Sequence, residues 1–284
     1  MSAFQRLLNS GWTLLVASLA VSFRVSAEDC CEPLPPVRDV LKSVAERAKK
    51  DRENDRLFEQ TYEYLRVKTR EVRNTKGKLK QSDETRRTHS PSGSAHSRIE
   101  HQRADGGAGD PGATAEGEDR DRLRTKGDYS KRDFPITDEV LNRFDFSLSG
   151  REVIEGRYVL VLDFKPADRD LPVRGFLDKF VNRMAGKLWV DEGEGVIVKA
   201  ELRLVETVSF VAGIAGAVYQ LDCEFRRSRT EDGLWYTPEY HWRADWRELF
   251  SRKVVSVRET KTDLQRATRR DSGQQGTATR IELP

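Results

Sequence analysis

The sequence predicts a mainly β protein of the α+β kind, built from consecutive antiparallel strands with few helices between them. Two observations carry that prediction. Val196, Val198, Ala200, Leu202, Leu204 and Val208 fall on one side of an alternating run, with Lys199, Glu201, Arg203 and Thr207 on the other. Farther on, Tyr240, Trp242, Ala244 and Trp246 alternate with His241, Arg243, Asp245 and Arg247. A period of two over several residues is the mark of a strand with one buried face. Such faces are needed here: 34% of the 284 residues are charged and only 37% are hydrophobic, so a core forms only if the apolar residues are gathered on defined surfaces.

At the N-terminus, Arg6 precedes an apolar run from Leu7 to Phe23 that ends in Val25-Ser26-Ala27. This pattern reads as a secretory leader over residues 1–27, cleaved after Ala27, and places the mature protein in the periplasm. Asn9, Ser10, Gly11 and Thr13 interrupt the run, leaving it short of the roughly 18 apolar residues of a membrane span. Cys30 and Cys31 follow at once, but Ala27-Glu28-Asp29 is not the small apolar run that precedes a lipid-modified cysteine in bacterial lipoproteins. With Cys223 the count is three, which leaves a Cys30–Cys31 tether, a pair with Cys223 and a buried free Cys223 all open. The formal charge of +3 falls by two when Arg6 and Arg24 leave with the leader. A nearly neutral chain has no net pull toward nucleic acid or an anionic membrane.

Residues 28–57 read as an N-terminal helical segment. Pro35-Pro36 introduces Val37, Val40, Leu41, Val44 and Ala48, the stripe of an amphipathic helix that is expected to stop contributing to the core near Asp51. A strand is expected from Tyr62 to Val72, with a polar continuation from Lys78 toward His89. Gly, Ser, Pro, Ala and charges dominate the next stretch, whose one branched aliphatic residue up to Arg122 is Ile99; it reads as a polar insert at about 80–128 that buries too little to order itself. His89, His96 and His101 fall in it with no framework to hold a metal, so no metal and no cofactor is expected.

Order is expected again from Ile136. Thr137-Asp138-Glu139 starts a short helix, and residues 144–154 and 157–165 form a hairpin turning at Glu155-Gly156. Its return strand is apolar on both sides, with Leu160, Leu162 and Phe164 on one and Val159 and Val161 on the other. That predicts a central strand covered on both faces. Phe176, Phe180, Val181 and Met184 recur at helical spacing, with Gly186 as the expected stop. Beyond Val208 come the glycine-rich apolar stretch from Phe210 to Ala217, a strand on Tyr219, Leu221, Cys223 and Phe225, the Tyr240–Trp246 strand, a last strand from Lys253 to Thr262, and a polar tail over 265–284.

The ordered pieces resemble a family. Phe144-Asp145-Phe146, the run Val159 to Pro166, a helix, Gly186-Lys187-Leu188-Trp189-Val190-Asp191, the alternating Val196 to Leu204, and Asp232-Gly233-Leu234-Trp235-Tyr236-Thr237-Pro238 are together similar to the LolA/LolB-like outer-membrane lipoprotein-sorting superfamily. The resemblance covers residues 58–264 outside the polar insert. It implies a curved, incomplete antiparallel β-barrel with helices covering its mouth and an apolar cavity for acyl chains. It further implies a non-enzymatic carrier of lipid or lipoprotein, with transient contact with membrane or membrane proteins. Shielding a chain of roughly fourteen methylenes at about 0.8 kcal/mol each withholds about 11 kcal/mol of apolar surface from water. That takes a whole concave sheet face, for which Leu162, Phe164, Leu202, Leu204 and Leu221 are candidate lining residues, with Phe225, Trp242 and Trp246 beside them and Phe210 and Ile214 in a mobile rim.

Two other readings compete. In one the same faces pack helix on sheet, and the chain is a structural or interaction protein of the envelope with a filled core and no ligand. The other is an enzyme, for which His241 and Asp245 are the one constellation on a polar strand face. Four residues of extended chain separate their Cα atoms by about 13 Å, too far for a His–carboxylate pair. Nucleophile-elbow, zincin and phosphate-loop motifs are absent from the sequence.

Overall fold

A computed structural model describes residues 33–91, 100–103, 136–210 and 216–267. The leader, Cys30 and Cys31, most of the polar insert, Ile214 and the tail beyond Ala267 lie outside the described residues. Among the described residues, three helices, α1 (Val37–Thr61), α2 (Asp138–Leu141) and α3 (Phe176–Val181), accompany eleven strands: β1 (Tyr62–Asn74), β2 (Leu79–His89), β3 (Glu100–Arg103), β4 (Phe144–Ile154), β5 (Arg157–Pro166), β6 (Met184–Asp191), β7 (Ile197–Leu204), β8 (Val208–Phe210), β9 (Gly216–Arg229), β10 (Trp235–Glu248) and β11 (Ser251–Arg266).

The strands form one antiparallel sheet in the order β3-β2-β1-β11-β10-β9-β7-β6-β5-β4, with β8 added to β9. Its two edges do not meet, so the barrel is incomplete. Six register shifts interrupt the ladders: opposite Glu63/Leu65, Val72/Arg73, Tyr236/Glu239, Asp245/Trp246, Leu148/Gly150 and Trp189/Val190. Each inserts an extra residue on one strand, which bends that strand and raises its twist. The β4–β5 hairpin turns at Glu155-Gly156 as expected, both residues in the left-handed region (φ 50° and 75°).

As expected, β5 is covered on both faces. Leu160, Leu162 and Phe164 belong to the larger core with Val40 and Val44 of α1 and with Leu188, Val190, Ala200 and Leu204. Val159 and Val161 join Trp189, Val198 and Trp235 in a smaller core on the opposite face. Val196 and Val198 also lie on that opposite face, not with Ala200 and Leu204 as the alternation predicts. The reason is the bulge at Val198: Trp189 faces Lys199 while Val190 faces Ile197, so the parity of β7 slips by one and Ile197 turns toward α1.

Three other expectations are corrected. The expected helical stop at Gly186 falls inside β6, opposite Leu202. There the backbone of Glu201 approaches so closely that a Cβ on residue 186 would lie 1.9 Å from its carbonyl oxygen, and only glycine fits. Residues 79–89, read as the start of the polar insert, are strand β2, paired with β1 along its length, and residues 100–103 pair with β2 in turn. This part of the sheet carries no apolar alternation. It is held by the backbone ladder and by cross-strand polar pairs such as Arg70–Asp83 (3.7 Å) and Thr69–Glu84 (3.4 Å). Finally, α1 does not lose contact with the core at Asp51: it continues to Thr61, with Asn54 and Phe58 buried.

The 25 residues of α1 make a rod about 37 Å long. The seven strand spacings from β4 to β1 measure about 34 Å. The helix is thus long enough to cross nearly the whole sheet, and it does so along one end. Val40 and Val44 pack against Leu160 and Val190 near one terminus of β5 and β6. Phe58 stacks on Tyr62 and Tyr236 (centroids 5.3 and 5.1 Å) where β1 begins and β11 ends.

Candidate binding face

The face that α1 crosses is continuous across the sheet, because residues in direct register share a side. Leu202 lies opposite Cys223, Cys223 opposite Trp242, and Trp242 opposite Val257. One step along, Leu221, Ala244, Val255 and Val72 line up in the same way. The short helix α2 reaches α1, and α2 and α3 both lie on the β4–β7 part, where Phe180 of α3 joins the larger core. Arg143 ties them together: its side chain is 7% exposed and donates to Asp178 (2.6 Å), Asn182 (3.1 Å) and Glu139 (3.2 Å). The bond from Arg143, with a second from the backbone amide of Arg174 (2.7 Å), lowers the Asp178 carboxyl below its ordinary value. Because the folded-state value is depressed, the stabilisation is present above the unfolded value and lost as pH falls through the folded one. The stability gap between wild type and Asp178→Asn is therefore expected to hold constant above about pH 5 and to shrink below the ordinary 3.8, as measured by urea unfolding across pH.

The sequence-derived lining residues divide into three groups. Leu162, Phe164 and Leu204 are buried in the larger core. Leu202, Leu221, Phe225 and Trp246 pack against that core but are only half-buried. Trp242 is half-buried on the same face, beside Cys223 and Val257. Phe210 ends β8, opposite Gly216, and its side chain, like the whole of Ile214, lies outside the described residues. Sequence reasoning missed Val218, because a bulge at Tyr219 brings Val218 into the ladder opposite Trp246. It also missed Phe144, Phe146 and Leu148 as part of this face, although their alternation in β4 was a readable signal.

Two features of the face bear on chemistry. The indole Nε1 of Trp246 is buried and has no hydrogen-bond acceptor among the described residues, leaving an orphan donor on an apolar surface. Cys223 is a free thiol, and burial pushes its pKa up to about 11, which keeps it protonated and unreactive. On the opposite, polar face of β10, His241 Nε2 meets Ser256 Oγ at 3.1 Å while Asp245 is engaged by Arg252 at 2.8 and 2.9 Å, so this pair has separate partners.

At the α1 end the contacts are polar and specific. Asn54, 7% exposed, donates from Nδ2 to the Trp235 carbonyl (2.7 Å) and accepts from the Trp235 amide (2.9 Å). Arg227 reaches Asp51 at 3.2 Å. Glu194 gathers Arg157 and Arg229 (both 3.1 Å) and the Trp235 indole (2.9 Å). Asp191, 1% exposed, takes Arg157 at 2.5 and 2.9 Å, which holds that guanidinium more firmly protonated. Gly195 passes so close to Ser43 that a Cβ would lie 2.2 Å from its hydroxyl. A cleft of about 200 Å³ remains between α1 and β5–β6, lined by Val40, Ser43, Leu160 and Val190 among others. That is below the roughly 300–1,000 Å³ of ordinary ligand pockets.

No known family's sequence pattern matches the chain, and no curated protein matches it in sequence. Solved structures similar to it include an outer membrane lipoprotein-sorting protein domain from Vibrio parahaemolyticus, at 12% identity and a TM-score of 0.32, covering 84% of this chain and 95% of that one. A LolA superfamily protein from Nitrosomonas europaea is similar at 13% identity and a TM-score of 0.27, covering 79% and 92%. MucB, crystallised in complex with MucA, is similar at 11% identity and a TM-score of 0.24, covering 82% and 100%. At these identities and scores the likenesses carry no inference about what this chain binds.

Proposed function

We propose that the protein is an exported, non-enzymatic binding or carrier protein of the bacterial envelope whose sheet face receives acyl chains of a lipid or lipoprotein. The observation that supports it is the incomplete covering of an apolar face. α1 crosses one end, and α2, which reaches α1, covers the β4–β7 part together with α3. Beyond them Leu202, Leu221, Phe225, Trp242 and Trp246 are left half-buried. The Trp246 indole N–H is without an acceptor there, and an ester or carboxyl oxygen of the ligand would supply one. Entry is on the side of the β10–β11 turn, where among the described residues no helix lies across the ends of β9–β11.

A second reading has its own observation. Val40 and Val44 of α1 already fill the β5–β6 end of the face, and the cleft left beside them is too small for an acyl chain. On that reading the face is core and the chain is a structural or interaction protein. Uptake of a fluorescent fatty acid decides between them. If the face is a binding surface, the wild type takes up the probe and Leu221→Asp abolishes uptake at a cost of about 1–3 kcal/mol in stability. Trp246→Phe, which keeps the ring and removes the N–H, lowers affinity for the probe with little change in stability. If wild-type protein binds no acyl probe, the filled-core reading stands and the carrier reading fails.

A further inference from the structure

We propose that the end of the sheet opposite α1 is a docking surface for an anionic lipid bilayer, with Leu249 and Phe250 as the residues that enter it. The inference goes beyond the carrier reading and does not require it.

The first observation is where apolar side chains are exposed. Among the described residues, five of the eight exposed large hydrophobics lie at this one end: Leu79, Val173, Val205, Leu249 and Phe250. Antiparallel register sets their common location. Leu79 opens β2, Val205 follows β7, and Leu249-Phe250 joins β10 to β11 immediately beyond the Glu248–Ser251 pair. Val173 lies between β5 and α3, in the connection that crosses the same strand ends. Phe250 is 101% exposed and Leu249 56%, at the tip of a two-residue turn. Such turns favour Asn-Gly or Asp-Gly, because they need left-handed backbone. Leu249 is in that region at φ 52°, a conformation that a Leu side chain disfavours. An exposed apolar pair held at a turn tip in spite of that backbone preference marks an interaction site, and an acyl-chain layer takes its apolar surface out of water.

Charge is the second observation, and it selects the partner. Asn74 lies opposite Lys253, so the β1–β2 turn projects beside the β10–β11 turn, about two strand spacings or roughly 10 Å away. Residues 74–80 and 245–253 together hold six cations, Lys76, Lys78, Lys80, Arg247, Arg252 and Lys253, against the carboxylates of Asp245 and Glu248. Arg252 is paired with Asp245, and Lys253 stands 3.6 Å from Glu248, while Lys76, Lys78 and Lys80 are exposed. Apolar tips flanked by a local cationic excess match the boundary between phosphate headgroups and acyl chains. The near-zero net charge of the whole chain does not oppose this, because attraction to a charged surface acts over about 8–10 Å and is set by the groups nearest it.

The test is flotation of the chain from Glu28 onward with phosphatidylcholine vesicles, with and without added phosphatidylglycerol. Wild type is expected to float with the mixed vesicles and less with the neutral ones. The double variant Leu249→Ser/Phe250→Ser, which touches only exposed side chains, is expected to lose about tenfold or more in binding while its unfolding midpoint is kept. Lys76→Glu/Lys78→Glu is expected to abolish the preference for phosphatidylglycerol and the salt sensitivity that goes with it. A wild type that floats with neither vesicle overturns the proposal, as does equal binding by the Leu249→Ser/Phe250→Ser variant. Fatty-acid uptake is read separately: a chain that docks on vesicles but takes up no acyl probe rejects the carrier reading and leaves this one standing.

Discussion

Asn54→Leu is expected to destabilise the protein by about 2–5 kcal/mol, an effect far above that of an ordinary helix-surface substitution. Asn54 is the point where the second half of α1 is fixed to the sheet, through two hydrogen bonds to the backbone of Trp235. Leucine fills similar space but orphans both a buried amide and a buried carbonyl, each worth about 1–3 kcal/mol when left without a partner. Asn54→Asp separates the two bonds. Its carboxylate still accepts from the Trp235 amide, but an oxygen then faces the Trp235 carbonyl where Nδ2 had been 2.7 Å away. Protonation restores a donor at that position, so the Asn54→Asp deficit is expected to shrink as pH is lowered, whereas the Asn54→Leu deficit stays. Urea unfolding at constant m-value, run at neutral and acidic pH, reads both. A midpoint for Asn54→Leu equal to wild type would show that α1 is not clasped to β10 through this residue.

Much of the fold was legible because its strands obey a simple period. The Glu155-Gly156 hairpin, the two-sided β5 and the long β9–β11 run follow from alternation and turn residues. Failures of legibility share a cause: the residues that set curvature do not alter composition. A bulge at Val198 moves Ile197 to one face and Val196 to the other, yet Val196, Ile197 and Val198 are three similar aliphatic residues in a row. Gly186 looks like a helix stop because a close approach to the Glu201 backbone leaves no trace in the local pattern. β2 has no apolar period at all, since its order comes from backbone pairing with β1. The second half of α1 hides for the opposite reason: it buries Asn54 and half-buries Asp51, residue types that read as solvent-facing until their partners Trp235 and Arg227 are known.

The candidate face was legible in part on the same grounds. Leu202, Leu204, Leu221 and Phe225 follow from alternation, and in the structure all four belong to the larger core or pack against it. Alternation could not show that some of these positions are sealed and others are not. Leu162 is fully buried while Trp246 is only half-buried, and that difference depends on where α1 and α2–α3 lie along the strands. Helices gathered over the β4–β7 part leave β9 and β10 with less covering, which is why the half-buried residues, and not the most apolar ones, mark the candidate opening.

The ion pair under α1 leads to the other large expected effect, and its pattern matters more than its size. Arg227, 6% exposed, meets Asp51 at 3.2–3.4 Å, at the long end of hydrogen-bond distances, and its Nε is buried without a partner. Arg227 has left water and Asp51 mostly has, at 14% side-chain exposure, so much of the desolvation cost is present while the attraction is only partly realised. Removing one partner is expected to cost about 3–5 kcal/mol, because the other charge stays buried. The two single variants should not be equal. Arg227→Met leaves Asp51 with Arg47, 3.7 Å away, and belongs at the low end of that range. Asp51→Leu strands the Arg227 guanidinium, whose described acceptor is Asp51, and belongs at the high end. The double variant Asp51→Leu/Arg227→Met replaces both charges with side chains of similar bulk and is expected to recover most of the loss, within about 1–2 kcal/mol of wild type. A double-mutant cycle by urea unfolding measures this directly. If the double variant is as unstable as the two single losses added together, Asp51 and Arg227 do not act as a buried pair, and α1 is held at this end by Asn54 and Phe58 without them.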